Sequence, residues 1–166
     1  MKILFITPAF FPHIGGVEKH VFEITKDLVN RGYQVDVISE SKAKKLEEPY
    51  QTSQMSDTET IKIKEVVKSS YFDTFYGKNV RIFFLNFGKK DRFKKFRIWK
   101  ALWKNRQLIK NADIVHCHDV FIWYLPFRFI YFWKSVFITF HGYETQFPPK
   151  RKAIVIRKIS ERLGKL

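Results

Sequence analysis

The sequence predicts an α/β fold: a Rossmann-like, doubly wound, mostly parallel sheet with helices on both faces. Three observations carry that prediction. Short apolar runs of the kind that buried parallel strands require recur along the chain, at residues 3–6, 34–39 (QVDVIS), 80–85 (VRIFFL), 113–118 (DIVHCH) and 135–140 (SVFITF). Stretches with apolar residues at helical spacing alternate with them. Two adjacent glycines, Gly15 and Gly16, fall in PAFFPHIGGVEKHV, where the first strand gives way to the first helix. Open α/β sheets bind their ligands at that end of a strand.

Each element follows in order. After the first strand, Val17, Val21, Ile24 and Leu28 define one helical face, and Gly32 stands where a helix-ending residue is expected. QVDVIS then gives the second strand. Residues 40–59 are polar and aperiodic and read as a long loop, of the kind that often borders a site in α/β domains. Residues 60–67, with Ile61 and Ile63 alternating against lysines, read as a strand with one wet face. A further loop at 69–79 leads into VRIFFL. Residues 89–110 predict one helix with Phe93, Phe96, Trp99 and Leu102 spaced by three. DIVHCH is the next strand, 119–133 a helix, SVFITF a strand, and 150–163 a last helix carrying Ile154, Ile156, Ile159 and Leu163.

The 166 residues suffice for one domain with a core, and a 45% hydrophobic content excludes a disordered chain. Lys and Arg number 31 against 16 Asp and Glu, a net charge of +15, so the expected partners are anionic. A single cysteine excludes an internal disulfide framework and fits a reducing cytosol. The N-terminus reads as a strand rather than a signal peptide. The most apolar stretch, 120–140, is interrupted by Arg128 and Lys134, which leaves no segment of the roughly 18 apolar residues a membrane span needs. Cytoplasmic location, peripheral on the inner face of the cell membrane, is the expectation.

The basic charge is concentrated in residues 89–110, which hold ten Lys or Arg and one Asp, and all four tryptophans lie between 99 and 133. Lys94, Lys95, Arg97, Trp99, Lys100, Trp103 and Lys104 are therefore the candidates for contact with an anionic membrane surface. The same composition suits a surface helix whose stripe packs on the sheet.

Three features share the carboxyl rim of the expected sheet: the Gly15–Gly16 turn, the His116-x-His118 strand end, and His141 just past SVFITF. A helix N-terminus offers unpaired N–H groups and a positive dipole end to a phosphate. Glycines let the backbone come close to it and adopt positive φ where the turn demands it. Histidines at the rim can donate to a hydroxyl or phosphate near neutral pH. In a strand, His116 and His118 share a face and Cys117 points away, which leaves a tetrahedral metal short of ligands and denies Cys117 a histidine partner as nucleophile; no metal is expected. Two other readings use the charge or the fold. A nucleic-acid-binding α/β domain explains the cations but gives the glycine turn no use, and a dinucleotide-binding domain lacks both G-x-G-x-x-G and an acidic residue closing the second strand.

The order PxFFPxxGGVExHV, NRGYQVDVIS, DIVHCHD and ITFHG resembles the N-terminal, acceptor-side domain of the family-4 retaining glycosyltransferases of the GT-B fold, from Met1 to about Glu161. That group includes phosphatidylinositol mannosyltransferases and the catalytic subunit that adds N-acetylglucosamine to phosphatidylinositol. The resemblance implies two facing Rossmann-like domains, with a nucleotide-diphosphate sugar as co-substrate and no cofactor or metal. It implies that Gly15 and Gly16 approach the donor diphosphate. Glu18, His20, His118 and Asp119 would line the acceptor side, and catalytic His141 would hydrogen-bond the transferred sugar. The family's cationic diphosphate clamp and Glu-x7-Glu belong to a C-terminal domain, so residues 1–166 are expected to be a single N-terminal domain, inactive without that domain or a separate donor-binding chain. The implied acceptor is a sugar or lipid-linked glycan of cell-envelope biosynthesis.

Overall fold

In the computed structural model the described residues are 1–10, 15–40, 79–141 and 151–164. Five of the six expected strands form: β1 (Lys2–Thr7), β2 (Gln34–Glu40), β3 (Val80–Leu85), β4 (Ile114–His118) and β5 (Ser135–Thr139). They pair in parallel throughout, in the order β3-β2-β1-β4-β5. Order reverses beside β1, where one crossover leads to β2 and the later chain continues on the β4 side, and ligand crevices open at such points. The strand expected at 60–67 and most of the long loop at 40–59 lie outside the described residues.

Alternation along the strands divides the core. Ile3, Phe5, Val35 and Val37 face helix α1 (Gly16–Asn30), which brings Val21 against them with Val17, Ile24 and Leu28 alongside. Leu4, Ile6, Ile38, Val115, Cys117 and Ile138 face the opposite layer, made of α2 (Lys94–Lys104), α3 (Arg106–Asn111), α4 (Phe121–Ile130) and α5 (Arg151–Leu163). Burying a side chain such as Leu102 or Phe127 contributes about 1.5–3 kcal/mol, so this layer is a major source of stability.

Helix ends follow local chemistry. Gly32, at φ 83°, ends α1: its N–H donates to Val29 O at 2.9 Å and the Tyr33 N–H to Leu28 O at 3.0 Å. Those are the two bonds of a glycine-terminated helix. The single helix expected over 89–110 is instead two, α2 and α3. Asn105 interrupts it, leaving helical geometry at φ −101° and ψ 19° while its side-chain amide donates to Ala101 O at 2.8 Å. Asparagine competes with the helix backbone in this way.

The expected every-third-residue stripe is also corrected. Ile98 and Leu102 are the buried residues of α2, whereas Phe93 and Phe96 are exposed. With 3.6 residues per turn, each step of three falls about 60° short of a full rotation, so the line from Phe93 to Leu102 spirals halfway round the helix. The helix expected over 119–133 is confined to α4, which starts after Asp119 adopts a left-handed φ of 58°.

β2 also contains a buried charge. Asp36 accepts from Arg81 through both carboxylate oxygens, at 2.8 and 2.9 Å, and pairs with Lys2 at 3.0 Å. This network ties β1, β2 and β3 together at the amino end of the sheet.

Candidate functional site

β1 ends at the carboxyl rim, and α1 starts beside it. Gly15 is the cap residue, with extended backbone at φ −148° and ψ −179°, and Gly16 opens the helix, so the positive φ allowed for at this turn is not used. What matters at Gly15 is the missing Cβ, which would collide with the carboxylate of Glu18 folded back over it. At Gly16 a Cβ would meet nothing within 4 Å among the described residues. Among the described residues no side chain hydrogen-bonds to the start of α1, and the first N–H groups of a helix are the donors an anion site uses. A cleft of about 470 Å³ runs from this turn, lined by Pro8, Ala9, Val17, Glu18, Glu40, Lys90 and Lys94.

The histidines collect on the other side of the turn. His118 ends β4 and is fully buried; its Nδ1 lies 3.1 Å from His141 Nε2. The rings of His118 and His141 stack at 5.4 Å between centroids. His20, exposed on α1, presents its ring edge-on to His141 at 4.9 Å. Phe5 packs edge-on against His116 and His118 from below. Asp119 fixes His141 from the backbone side: its Oδ1 accepts the His141 N–H at 2.9 Å, and its own N–H donates to Thr139 O at 3.0 Å.

The electrostatics favour neutral imidazoles. Burial pushes the His116 pKa down to about 4, with His20 and His141 adding to the effect. Burial, and then the neighbouring histidines, hold His118 far below the ordinary histidine range. His141 is lowered by burial, while the Asp119 and Glu18 carboxylates pull the other way. Neutral imidazoles both donate and accept, which suits hydrogen bonding to sugar hydroxyls. Among the described residues, buried His118 Nε2 and Asp119 Oδ2 meet no hydrogen-bond partner, an unusual condition for buried polar atoms.

Among the described residues, one ring nitrogen from each of His20, His118 and His141 lies within 4.8 Å of the others, a trio that could hold a metal ion. The His116–His118 pair first considered does share a face, stacked at 4.3 Å, but His116 Nε2 is engaged with Thr139 Oγ1 at 2.8 Å. Cys117 points into the opposite core, fully buried, and burial raises its thiol pKa, so it is no nucleophile here.

The sheet thus brings Gly15, Gly16, Glu18, His20, His118, Asp119 and His141 to one rim. A profile of Glycosyltransferase Family 4 matches residues 14–166, almost the whole chain. The chain belongs to glycosyltransferase family 4. Among curated proteins, none matches it. The all-parallel Rossmann-like sheet of this family-4 domain is consistent with one half of a GT-B fold.

The seven residues singled out for an anionic surface divide in the family-4 domain. Lys95, Lys100, Trp103 and Lys104 are exposed on α2. Lys94 instead pairs with Glu40 at the cleft. Arg97 is turned back on Asp91 and the carbonyl of Phe87, and Trp99 Nε1 donates to Ile122 O at 3.1 Å. Sequence reasoning assigned Lys94 to an anionic surface instead of the cleft, and it missed Lys90, because their position depends on α2 starting beside β2's carboxyl end. It also missed Thr139, whose place beside His116 follows from the register of β4 with β5.

Proposed function

We propose that residues 1–166 are the acceptor-binding half of a retaining glycosyltransferase, moving a hexose from a nucleotide-diphosphate sugar to a glycan or lipid-linked acceptor. Family membership supports the reaction class. The observation that carries the assignment of roles is the meeting of the α1 start with His141, held by Asp119 and His118, at one sheet rim. In this reading the α1 N-terminus, open at Gly16, receives the donor diphosphate. His141 donates to a hydroxyl of the transferred sugar, with His118 fixing its ring. Glu18 and His20 receive the acceptor. Charge developing on the leaving diphosphate is stabilised by the helix dipole together with cations of a facing lobe, in the same protein or in a separate chain.

The test is transfer from radiolabelled nucleotide sugars, with residues 1–166 supplied alone and together with a donor-binding lobe. Turnover is expected only in the second case, and His141→Ala is expected to lower it by about a hundredfold or more. Robust turnover by residues 1–166 alone, or full activity in His141→Ala, would overturn the proposal.

A further inference from the structure

The two helical coats of the sheet differ in a way the transferase chemistry does not use. Apart from Met1, every large apolar side chain that the described residues leave exposed belongs to the layer of α2, α4 and α5 with its adjoining turns. Phe96 and Trp103 stand out from α2, Phe129 from α4, Ile159 from α5, and Phe132 and Trp133 from the turn after α4. Phe132 and Trp133 are 71% and 64% exposed.

That turn is rigid. Arg128 Nη1 donates to the carbonyls of Phe132, at 2.6 Å, and Lys134, at 3.4 Å, while its Nε donates to Leu163 O at 2.8 Å. The two exposed rings meet edge to face at 5.2 Å. Aromatics held outward by a fixed backbone lose little entropy when they enter an apolar phase.

Charge on the same layer is strongly positive. Between Lys94 and Asn111 there are seven Lys or Arg and no carboxylate. Asp91 and Glu161, the carboxylates near α2 and on α5, are already paired with Arg97 and Arg157. Asp113, just before β4, accepts the Lys2 N–H. On the other coat, α1 balances Glu18, Glu23 and Asp27 against Lys19, Lys26 and Arg31 and exposes no large apolar side chain. Cations interleaved with tryptophan and phenylalanine match the headgroup region of an anionic bilayer, where carboxylate-free surfaces are drawn in and indoles settle. Among the described residues no helix is long and apolar enough to cross a membrane, so the contact would be superficial.

We infer that the outer face of the α2/α4/α5 layer is a docking surface for an anionic lipid bilayer, with Phe132 and Trp133 inserted among the acyl chains. The sheet then lies face-on to the membrane, and its carboxyl rim, with the histidines, opens sideways along the lipid surface. This placement stands independently of the transferase reading.

Vesicle co-sedimentation of the full chain tests it, using phosphatidylcholine alone and phosphatidylcholine with about 30% phosphatidylglycerol. Binding to the anionic vesicles is expected to be at least about tenfold tighter and to weaken with salt, with a blue shift of tryptophan emission. Phe132→Ser with Trp133→Ser should lower partitioning about tenfold or more while circular dichroism stays unchanged. Lys95→Gln with Lys100→Gln should lower it severalfold, whereas the charge-matched pair Lys19→Gln with Arg31→Gln on α1 should not. Equal binding to both vesicle types, no binding, or an equal loss from the α1 pair would overturn the inference. Self-association of the chain through this face without vesicle binding would overturn it as well, and would assign the layer to a protein partner.

Discussion

His118 Nδ1 and His141 Nε2 lie 3.1 Å apart, joining the end of β4 to the residues just past β5. One nitrogen must carry the proton and the other accept it, so the bond exists only while at least one ring is neutral. Asp119 closes the arrangement by accepting the His141 N–H, and three residues from two strand ends form one positioned unit.

Acid should destabilise the fold around the buried histidines. Burial holds the His116 pKa at about 4, below the ordinary histidine value of 6.5, and His118 is shifted in the same direction. The unfolded chain therefore binds more protons between these values, and stability is complete above about pH 6.5 and lost as pH falls towards 4. From His116 alone the loss approaches about 3 kcal/mol. Urea midpoints at neutral pH and near the lower limit should show it, and His116→Gln should flatten the dependence; an unchanged slope would contradict the burial argument.

Asp119→Asn separates charge from geometry. Asparagine tolerates the left-handed φ of 58° and can still accept from the His141 N–H. Removing the carboxylate's charge, which raises the His141 pKa, should move that pKa down, as read by proton NMR titration of the imidazole. Asp119→Ala loses the acceptor and should also cost about 1–3 kcal/mol in thermal or urea unfolding. Identical titration of His141 in the Asn variant would refute the electrostatic role.

The two glycines should respond differently. Gly16→Ala has room for its Cβ and should keep or slightly raise stability, by up to about 1 kcal/mol, because alanine is the better helix residue. Gly15→Ala must push the Glu18 carboxylate aside, leaving the fold intact and weakening acceptor binding. Calorimetric melting beside acceptor titration separates the two effects. Loss of folding in Gly16→Ala would be inconsistent with the open space seen there.

Asp36→Ala should destabilise the sheet by about 3 kcal/mol, because it leaves Arg81 and Lys2 crowded without their shared carboxylate. Lys2→Gln should cost much less, since Arg81 keeps both of its hydrogen bonds to Asp36. Chemical denaturation of the two variants gives the comparison.

The positions of the strands along the chain were readable from apolar runs because parallel strands, buried on both faces, write themselves as continuous hydrophobic segments. Gly32 ended its helix as expected for the same kind of reason, a local backbone demand that one residue type meets. What escaped was set by neighbours distant in sequence. The paired carboxylate at Asp36 is invisible until Arg81 is placed beside it on β3, and Lys94 looks like any surface cation until Glu40 comes within reach. His116, His118 and His141 could be assigned to one edge, but only the folded sheet shows that His118 and His141 touch while His116 turns to Thr139.

The alternation that puts both histidines of His116–Cys117–His118 at the site sends the sulfur between them into the opposite core, sealed from solvent. Alkylating reagents and spin labels should pass over the native protein. A cysteine placed by mutagenesis at Trp133 or His20 would then be the single reactive handle, and a probe attached there would report on the turn after α4 or on the histidine rim without any native thiol having to be removed first.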